Sequence, residues 1–554
     1  MPDLKLSEPH GAPGRPGARH RQRWLPQALG WEGDAAGRAL RRVAATLAPR
    51  ALWRDHRLLV ILVALSVIPR VLAALAFRPA LLTSDSFLYM NEAAKDRLGV
   101  IRPSGYSLLL DVLQPLPHTL LAITTVQHIM GIGIAVIVYA VLRYWGLPAW
   151  GACLAALPIL FDPREIAIES YILPDTLYNL MLVAAAALLL TRRAPRLWQC
   201  AVAGLLIAYV SVLRGNGLPL AVIFAVFILI RRVGWRAVTA AVVAFVVPFL
   251  SYVLVFSSQT GHLNITESEG LFLWSRTTSF ANCAIIKPPK DLAPLCPNRE
   301  KSVAPAGPTP AWSVSALLDA PTPADYLWAP DAWWRHDKYP GINNYNNKLA
   351  LHFAIHAIEA QPLGYARVVA RDVALVFVQN DRPLTKSTMS FTVAPHIAAL
   401  PRYYAADEHR YAGIRSNTYL VQPFAYFLLL YQEPVYFTGP MFLAVMVTGL
   451  VGVIRKWRTP GHVGRIAALP WVLAAASIVL PAMLTQSLYR YTIVAIPLAC
   501  IAAGLAFVKR AGEPAAAAGG TAAAQGPASA SGTRPHGLSS ADLPPADRAD
   551  TPDP

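Results

Sequence analysis

Charged side chains are scarce in this sequence. Of its 554 residues, 15% are Asp, Glu, Lys or Arg, and 55% are hydrophobic. Soluble domains usually carry about 25% charged residues. The apolar residues form long blocks that are separated by short arginine clusters. This pattern excludes an ordinary soluble protein and predicts an all-α polytopic membrane protein.

Cysteine is also rare, and its spacing argues against a zinc site. The five cysteines are scattered, without a C-x-x-C pair or a Cys/His pattern typical of zinc. No cleavable signal peptide is visible, because the first apolar segment starts too late and is too long. Residues 1–57, which are rich in Arg, Pro and Gly, are instead predicted to be a cytoplasmic basic tail.

The surplus of positive charge follows the rule for membrane orientation. The formal net charge of +17 is concentrated in the first 57 residues and in short loops between apolar segments. Such placement indicates contact with membrane lipids and argues against nucleic acid as a partner. Five clusters fall on one side if the amino terminus is cytoplasmic: Arg143, Arg192–Arg193–Arg196, Arg231–Arg232–Arg236, Arg455–Lys456–Arg458–Arg465 and Lys509–Arg510. We therefore expect a multi-pass protein of the cell (plasma) membrane with both termini inside.

The apolar blocks predict about ten transmembrane helices, each close to the ~20 residues that a bilayer requires. They are expected at 58–77, 119–143, 147–161, 171–190, 198–213, 217–230, 237–256, 434–454, 465–484 and 490–508. The chain thus divides into two membrane regions, 58–256 and 434–508. Between them lies a large outward-facing loop, 257–433, of mixed helix and irregular structure. Residues 509–554 cannot bury a core, and a disordered cytoplasmic tail is predicted there.

A carboxylate follows the first predicted span, in an outer loop at 78–118. If residues 81–98 are helical, Asp85, Glu92 and Asp96 lie near one face, with Tyr89 one turn after Asp85. A carboxylate at the membrane boundary can take a proton from a polar acceptor. The alternative is a solvated helix that is capped by the Ser84–Asp85 pair.

A second acidic cluster is predicted between the third and fourth spans. Glu165 and Glu169 gather with Asp162 at the outer boundary, and Asp175 lies one turn deeper. Such acids can hold a divalent cation, or they can cap the next helix. Capping is favoured for Asp162, Glu169 stays open, and Asp175 is a functional candidate because it lies within an apolar span.

Arginines stand near the outer ends of several spans. Arg102, Arg214 and Arg490 are candidates for binding a phosphate, with Tyr491 beside Arg490. A planar guanidinium can hold a phosphate through two hydrogen bonds, and tyrosine hydroxyls can contribute. Lone arginines at span ends also reach towards lipid headgroups without any further role.

The outer loop contains an aromatic segment and two cysteines. Trp333, Trp334 and Tyr339 suit stacking on an acceptor sugar, although aromatic side chains also anchor loops at membrane interfaces. Cys283 and Cys296 lie on the oxidising side in this topology, and we expect them to form a disulfide.

Five short motifs resemble the C-type (GT-C fold) membrane glycosyltransferases, which include the protein O-mannosyltransferases and the aminoarabinose lipid A transferases. They follow the order of that superfamily over 58–256 and 434–508, whereas the outer loop matches no pattern. The motifs are Arg70 ahead of Asp85–Tyr89–Ala93, Arg102–Pro103–Ser104–Gly105–Tyr106, ESYILPDTLY at 169–178, Arg214–Gly215–Asn216–Gly217, and Arg490–Tyr491 with Pro497.

The resemblance implies a polyprenyl-phosphate-sugar donor and a glycan, lipid or protein acceptor. Asp85 would be the catalytic base, and Arg490, Arg214 and Arg102 would bind the donor phosphate. Many relatives have two adjacent acids in the first outer loop, whereas Asp85 lies between Ser84 and Ser86. Because no DxD or ExD occurs at Glu165–Glu169, we expect no metal and no other cofactor, although a related branch uses a divalent cation.

A transporter or flippase for lipid-linked saccharides is the alternative function. It would use the same arginines to hold phosphate without glycosyl transfer. Transporters often contain internal repeats with broken helices in matching positions. No such symmetry is visible in this sequence.

Overall fold

The structure is a computed structural model, and it describes residues 49–95, 97–116, 119–297, 322–378, 418–458, 463–486 and 489–508. Asp96, most of the predicted basic tail, the carboxy-terminal tail and much of the outer loop lie outside these described residues. The described part of the chain is almost entirely helical.

In the first membrane region, the described residues form ten helices. They are α1 (Pro49–Ala76), α2 (Ser84–Ala94), α3 (Gly105–Leu113), α4 (Thr119–Tyr144), α5 (Ala149–Phe161), α6 (Pro163–Ser170), α7 (Asp175–Leu189), α8 (Leu197–Leu213), α9 (Gly217–Ile230) and α10 (Trp235–Thr260). Helix α1 starts before the predicted span and is kinked at His56.

The outer loop and the second membrane region follow. The described part of the outer loop contains α11 (Glu269–Thr277), α12 (Cys283–Ile286), a 3-10 turn at Ala293–Leu295, α13 (Pro323–Leu327), α14 (Trp333–His336), α15 (Asn344–Ala360), α16 (Pro362–Val378) and α17 (Phe424–Gln432). The last region contains α18 (Gly439–Lys456), α19 (Val463–Leu484), α20 (Tyr489–Thr492) and α21 (Ala495–Ala506).

Several helices have the length and surface of membrane spans. Among the described residues, α1, α4, α10, α18 and α19 are long and apolar enough to cross a membrane, and α5, α7, α8, α9 and α21 are apolar but shorter. The span of α10 has a mean hydropathy of 2.4, yet only 11% of it is buried. Apolar side chains on an outer surface suit lipid, where a helix satisfies its own backbone hydrogen bonds. The predicted number of ten spans stays a prediction.

The basic clusters and the acidic motifs lie at opposite ends of the same helices. Arg231, after the end of α9, donates a hydrogen bond to the carbonyl of Thr191, which follows α7, at 2.7 Å. Asp175 begins α7, and Arg214 lies just before α9. The two ends of the bundle therefore differ in chemistry.

Two short strands and a bridge position the first outer segment. Phe77–Arg78 pairs antiparallel with Tyr419–Leu420. The backbone of Leu81 receives and gives hydrogen bonds in a bridge with the chain around Tyr171. These contacts hold the start of α2 beside the start of α7, which brings two distant acidic motifs to one place.

The described part of the outer loop has a hydrophobic core of its own. Leu271, Trp274 and Phe353 are fully buried in it, together with side chains from α14. Cys283 and Cys296 are joined by a disulfide, with their Cα atoms 6.1 Å apart. The indole of Trp274 donates a hydrogen bond to the carbonyl of Leu295 at 2.7 Å. Core and disulfide together order this part of the loop beside the bundle.

Candidate active site

Helix α2 begins with a cap that leaves Asp85 free for other contacts. Thr83 is the N-cap, and it exchanges hydrogen bonds with Ser86: the Ser86 amide donates to Thr83 Oγ1 at 3.4 Å, and the Thr83 amide donates to Ser86 Oγ at 3.0 Å. The expected alternative, a cap formed by the Ser84–Asp85 pair, is therefore wrong. The register of this cap directs Asp85 towards arginines on other elements.

Five charged side chains form a continuous row, which we call the charge chain. Its order is Arg102, Asp85, Arg490, Asp175 and Arg214. Arg102 donates to Asp85 Oδ1 at 3.3 and 3.4 Å, and Arg490 donates to Asp85 Oδ2 at 2.9 Å. Arg490 also donates through Nε to both oxygens of Asp175 at 3.0 Å, and Arg214 donates to Asp175 as well. Positive and negative groups alternate along the whole row.

The electrostatics of the charge chain favour an anion. Three guanidinium groups face two carboxylates, so one positive charge is left over. Burial by itself would raise the pKa of Asp85, but the charges of Arg102 and Arg490 outweigh burial and lower this pKa to about 2. Asp85 is therefore ionised in the resting protein, and the surplus charge is available to a negatively charged ligand.

The charge chain borders a cavity of about 350 Å³. Arg102, Arg214, Arg490 and Tyr491, the predicted phosphate-binding residues, line it. The volume falls within the ~300–1,000 Å³ of typical small-molecule sites. The site residues predicted from three separate motifs thus meet at one cavity.

Aromatic rings hold the outer arginines in place. The Cζ atom of Arg214 lies 5.3 Å from the ring of Tyr178 and 5.1 Å from the ring of Tyr491. The Cζ atom of Arg102 lies 4.6 Å from the ring of Phe272 in α11. Such cation–π contacts orient a guanidinium without consuming its N–H donors. Tyr178 closes the motif at 169–178, whereas no motif contained Phe272.

Glu92 lies on the same helix as Asp85, but its carboxylate is bound by serines and not by arginines. Its carboxylate is buried and accepts hydrogen bonds from Ser104 at 3.0 Å and Ser107 at 2.8 Å. Burial raises the pKa of Glu92 to about 7. A Cβ atom at Gly99 would lie 1.8 Å from this carboxylate, so Gly99 leaves the room that Glu92 needs. These contacts link Glu92 of α2 to the N-cap and the first turn of α3.

The predicted second acidic cluster is divided in the structure. Asp162 caps α6 by accepting the amide of Arg164 at 2.9 Å, so its capping role lies on a short helix that precedes the fourth span. Glu165 is buried, and burial followed by the nearby acids Asp162 and Glu169 raises its pKa. Asp175 belongs to the charge chain instead. Glu165 therefore stays close to Asp162 and Glu169, whereas Asp175 pairs with arginines of other elements.

Glu169 is the centre of a buried ion pair between helices. Arg70, from α1, contacts both of its oxygens at 2.8 Å. Nδ1 of His128, from α4, lies 2.8 Å from Oε2 of Glu169. The two residues are 41 positions apart, so their spacing in the sequence gives no sign of this contact. These contacts join α1, α4 and α6 away from the cavity lining.

The described part of the chain contains no preformed set of metal ligands. No set of three or more His, Cys, Asp or Glu side chains is arranged there to hold a metal ion. The lone pairs of Asp85 and Asp175 face Arg490, which already places a positive charge between them. Metal independence stays a prediction.

The predicted aromatic acceptor residues are placed in two environments. Trp333 and Trp334 are buried in the core of the outer loop, with 9% and 5% of their surface exposed. Tyr339 is half exposed and packs edge-on against Tyr345, with ring centroids 5.1 Å apart. The two tryptophan rings therefore offer little free face for stacking on a sugar.

Comparisons with known proteins return two solved structures. The chain is similar to a Saccharomyces cerevisiae protein O-mannosyltransferase Pmt1–Pmt2 complex bound to the sugar donor, with 17% identity and a TM-score of 0.29. This match covers 40% of the chain and 36% of that protein, so it spans about a third of its length. The chain is also similar to ArnT from Cupriavidus metallidurans bound to undecaprenyl phosphate, with 14% identity and a TM-score of 0.32 over 81% of the chain and 77% of that protein.

No family model and no curated protein matches the chain. Both solved structures are less than 25% identical to the chain, and both TM-scores are below 0.5. Their low identities and TM-scores carry no argument about activity. What the site does is therefore argued from its own residues.

Proposed function

We propose that this chain is a membrane glycosyltransferase that moves a sugar from a polyprenyl-phosphate donor to an acceptor hydroxyl. The observation that carries this proposal is the position of the charge chain, which borders a cavity next to an apolar groove. A polyprenyl-phosphate sugar has an anionic centre between a polar sugar and a long apolar chain. The protein offers a matching surface for each of the three parts.

The apolar groove suits the lipid part of the donor. It has a volume of about 340 Å³ and lies among α8, α9 and α10, where Gly204, Ile207, Phe224 and Phe245 line it. Leu218, in the first turn of α9, lines both the groove and the cavity. A lipid in the groove would therefore present its phosphate to the arginines of the charge chain.

The arginines suit the charge that develops during transfer. The acceptor oxygen forms a bond to the anomeric carbon, and the bond from that carbon to the phosphate oxygen breaks. The electron pair moves to the phosphate, whose negative charge grows, and Arg490, Arg214 and Arg102 stabilise it. Fixed cations contribute most where charge appears in the transition state.

Asp85 is the proposed base that receives the proton of the acceptor hydroxyl. A carboxylate with a pKa of about 2 is a weak base, so donor binding has to change its surroundings. Arg102 makes the longer contacts to Asp85 and is 22% exposed, whereas Arg490 is 10% exposed. A bound phosphate would draw Arg102 away and leave Asp85 more basic.

The extracytoplasmic side is proposed for this chemistry. The cavity lies at the end of α7 and α9 that is opposite to the basic clusters. Because basic loops mark the cytoplasmic side, the cavity would open to the outside. The donor would then react where the outer loop can receive an acceptor.

Transfer is expected to proceed without a divalent cation. Arg490 takes the place between the two carboxylates that a cation would need. Activity should therefore persist after EDTA treatment. Loss of turnover with EDTA and its recovery with Mg²⁺ or Mn²⁺ would contradict this expectation.

The test is an assay of the purified chain with an undecaprenyl-phosphate-linked sugar. Release of free undecaprenyl phosphate indicates glycosyl transfer, whereas movement of the intact donor across a vesicle membrane indicates a transporter. Arg490→Lys should lower turnover at least tenfold, because one ammonium cannot reproduce contacts to both Asp85 and Asp175. Arg193→Lys, an exposed position at the basic end, is the matched control. Equal turnover in both variants would remove Arg490 from the proposed site.

A further inference from the structure

One wall of the cavity is formed by residues that do not belong to the charge chain. Glu269 and Phe272 of α11 line this wall. Next to it, the ring of Trp328 packs edge-on against the ring of Phe272, with centroids 6.4 Å apart. The amide of Ala324 donates a hydrogen bond to Gln486 at 3.2 Å, directly after the cavity-lining Thr485. Trp328 therefore lies behind the cavity-lining Phe272, and the bond of Ala324 holds its helix near Thr485.

This wall is held rigidly by its surroundings. The backbone amide of Glu267 donates to the carbonyl of Val100, and Ser268 Oγ donates to the carbonyl of Ile101, both at 2.7 Å. These bonds fix the start of α11 against the segment that carries Arg102. On its other side, Trp328 packs at 90° against the buried Trp334. The ring of Trp328 is thus positioned before any ligand binds.

Trp328 is the tryptophan of this segment that keeps a free surface. It is 38% exposed, whereas Trp333 and Trp334 are buried. A partly exposed indole can stack against the C–H face of a sugar ring. The sequence contained no signal that separated Trp328 from its two neighbours.

Glu269 is a carboxylate of a different kind from Asp85 and Asp175. Both aspartates are bound by arginines, whereas Glu269 is exposed and makes no hydrogen bond or ion pair within the described part of the chain. It lies three residues before Phe272, so the two side chains share a face of α11. Its two oxygens are free to accept hydrogen bonds from hydroxyl groups.

We propose that Trp328, Phe272 and Glu269 form an acceptor subsite that binds a saccharide. The aromatic pair contacts the apolar face of a sugar ring, and the carboxylate accepts hydrogen bonds from its hydroxyls. This inference rests on the proposed function and narrows its acceptor to a glycan. A purely lipid-anchoring tryptophan would not need a free carboxylate on the same wall.

The test measures saccharide binding to the full chain in lipid nanodiscs by saturation-transfer NMR. The probes are maltotriose, mannotriose and chitotriose. We expect at least one to bind, with a dissociation constant that rises at least tenfold in Trp328→Ala and several-fold in Glu269→Gln. Trp328→Phe, which keeps a smaller ring, should show an intermediate rise. Trp235→Ala is the matched control, because Trp235 is 73% exposed and lies at the basic end of the bundle.

The result separates this inference from the proposed function. Failure of all three probes to bind, or binding that Trp328→Ala leaves unchanged, overturns the subsite even if undecaprenyl phosphate is released from the donor. If Trp328→Ala instead lowers only the amount of protein recovered in membranes, the ring is a membrane anchor and the subsite is wrong. Saccharide binding that depends on Trp328, without any donor cleavage, would support the subsite and reject the transferase.

Discussion

Asp85 has an arginine on each side, and this arrangement decides both its charge and its reactivity. Its carboxylate accepts hydrogen bonds from Arg102 and Arg490, which belong to different parts of the chain. A residue whose only task was to cap α2 would not need either contact. The two interpretations of Asp85 therefore predict different consequences of substitution.

The first prediction concerns Asp85→Asn. This change keeps the shape of the side chain but removes the proton acceptor, so transfer should fall by about 100- to 10,000-fold. Binding of undecaprenyl phosphate should be retained or tighter, because Arg102 and Arg490 lose a competing anion. Turnover and lipid binding are measured on the same preparation.

The matched control for Asp85 is Asp111→Asn, an exposed acid on the neighbouring helix α3. It should leave turnover near the wild-type value. If Asp85→Asn also turns over at that rate, Asp85 is structural.

The second prediction concerns pH and Glu92. Its pKa is raised from 4.5 to about 7, so the folded protein binds a proton that the unfolded chain has already released. Folding stability should therefore be full below pH 4.5 and fall as the pH rises through 7. The loss should be on the order of 3 kcal/mol, because each pKa unit corresponds to about 1.4 kcal/mol.

Thermal unfolding of the wild-type chain and of Glu92→Gln between pH 4.5 and 8 tests whether folding stability falls as the pH rises. The amide cannot ionise, so the variant should lack this part of the pH dependence. An equal decline in stability in both proteins would assign the effect to other groups.

Helix α4 has space only for a glycine at position 131. A Cβ atom at Gly131 would lie 1.7 Å from Oε1 of Glu169. That carboxylate is held by Arg70 and His128, so it cannot move aside without breaking buried contacts. Two residues further on, a Cβ atom at Gly133 would meet only Leu180, at 3.9 Å. The same helix therefore contains one glycine that is required and one that is not.

The third prediction compares Gly131→Ala with Gly133→Ala. Overpacking should destabilise the first variant by roughly 1–3 kcal/mol or more. The second should be neutral or more stable by up to about 1 kcal/mol, since alanine favours a helix over glycine. Cys153, Cys200 and Cys500 are free and buried, so a thiol-reactive dye reports unfolding in both. Equal melting temperatures would show that Glu169 has room to move.

The helical bundle formed by the described residues has two chemically different ends. Its orientation in the membrane can be tested directly. Basic side chains meet at one end, as Arg192 does when it donates to the carbonyl of Tyr144 at 2.7 Å. The cavity lies at the other end. Membrane insertion should place the basic end in the cytoplasm.

The fourth prediction uses cysteines placed at exposed positions of the two ends. Lys338→Cys, in the outer loop, should react with a membrane-impermeant maleimide on intact cells. Ala194→Cys, between α7 and α8, should react only after permeabilisation. The opposite pattern would reverse the topology and place the cavity on the cytoplasmic side.

Hydropathy and charge are local properties of the sequence, and they were sufficient to predict the class of protein. Blocks of apolar residues predict helices in lipid because a helix satisfies its own backbone there. The structure is helical where these blocks occur, although five of the apolar helices are shorter than a full span. Motif order also identified Arg102, Arg214, Arg490 and Asp85, which the structure brings together.

Only the tertiary structure decided which charges are partners. Arg490 and Asp175 are 315 residues apart in the sequence, and Glu169 pairs with Arg70 across 99 residues. Glu165 stays near Asp162 and Glu169, as their spacing predicts, but Asp175 is bound by Arg490 and Arg214, because the packing of helices sets which side chains meet. Burial separated Trp328 from Trp333 and Trp334 for the same reason. The sequence specifies the type and spacing of residues. Side-chain contacts and exposure are decided only when distant helices pack together.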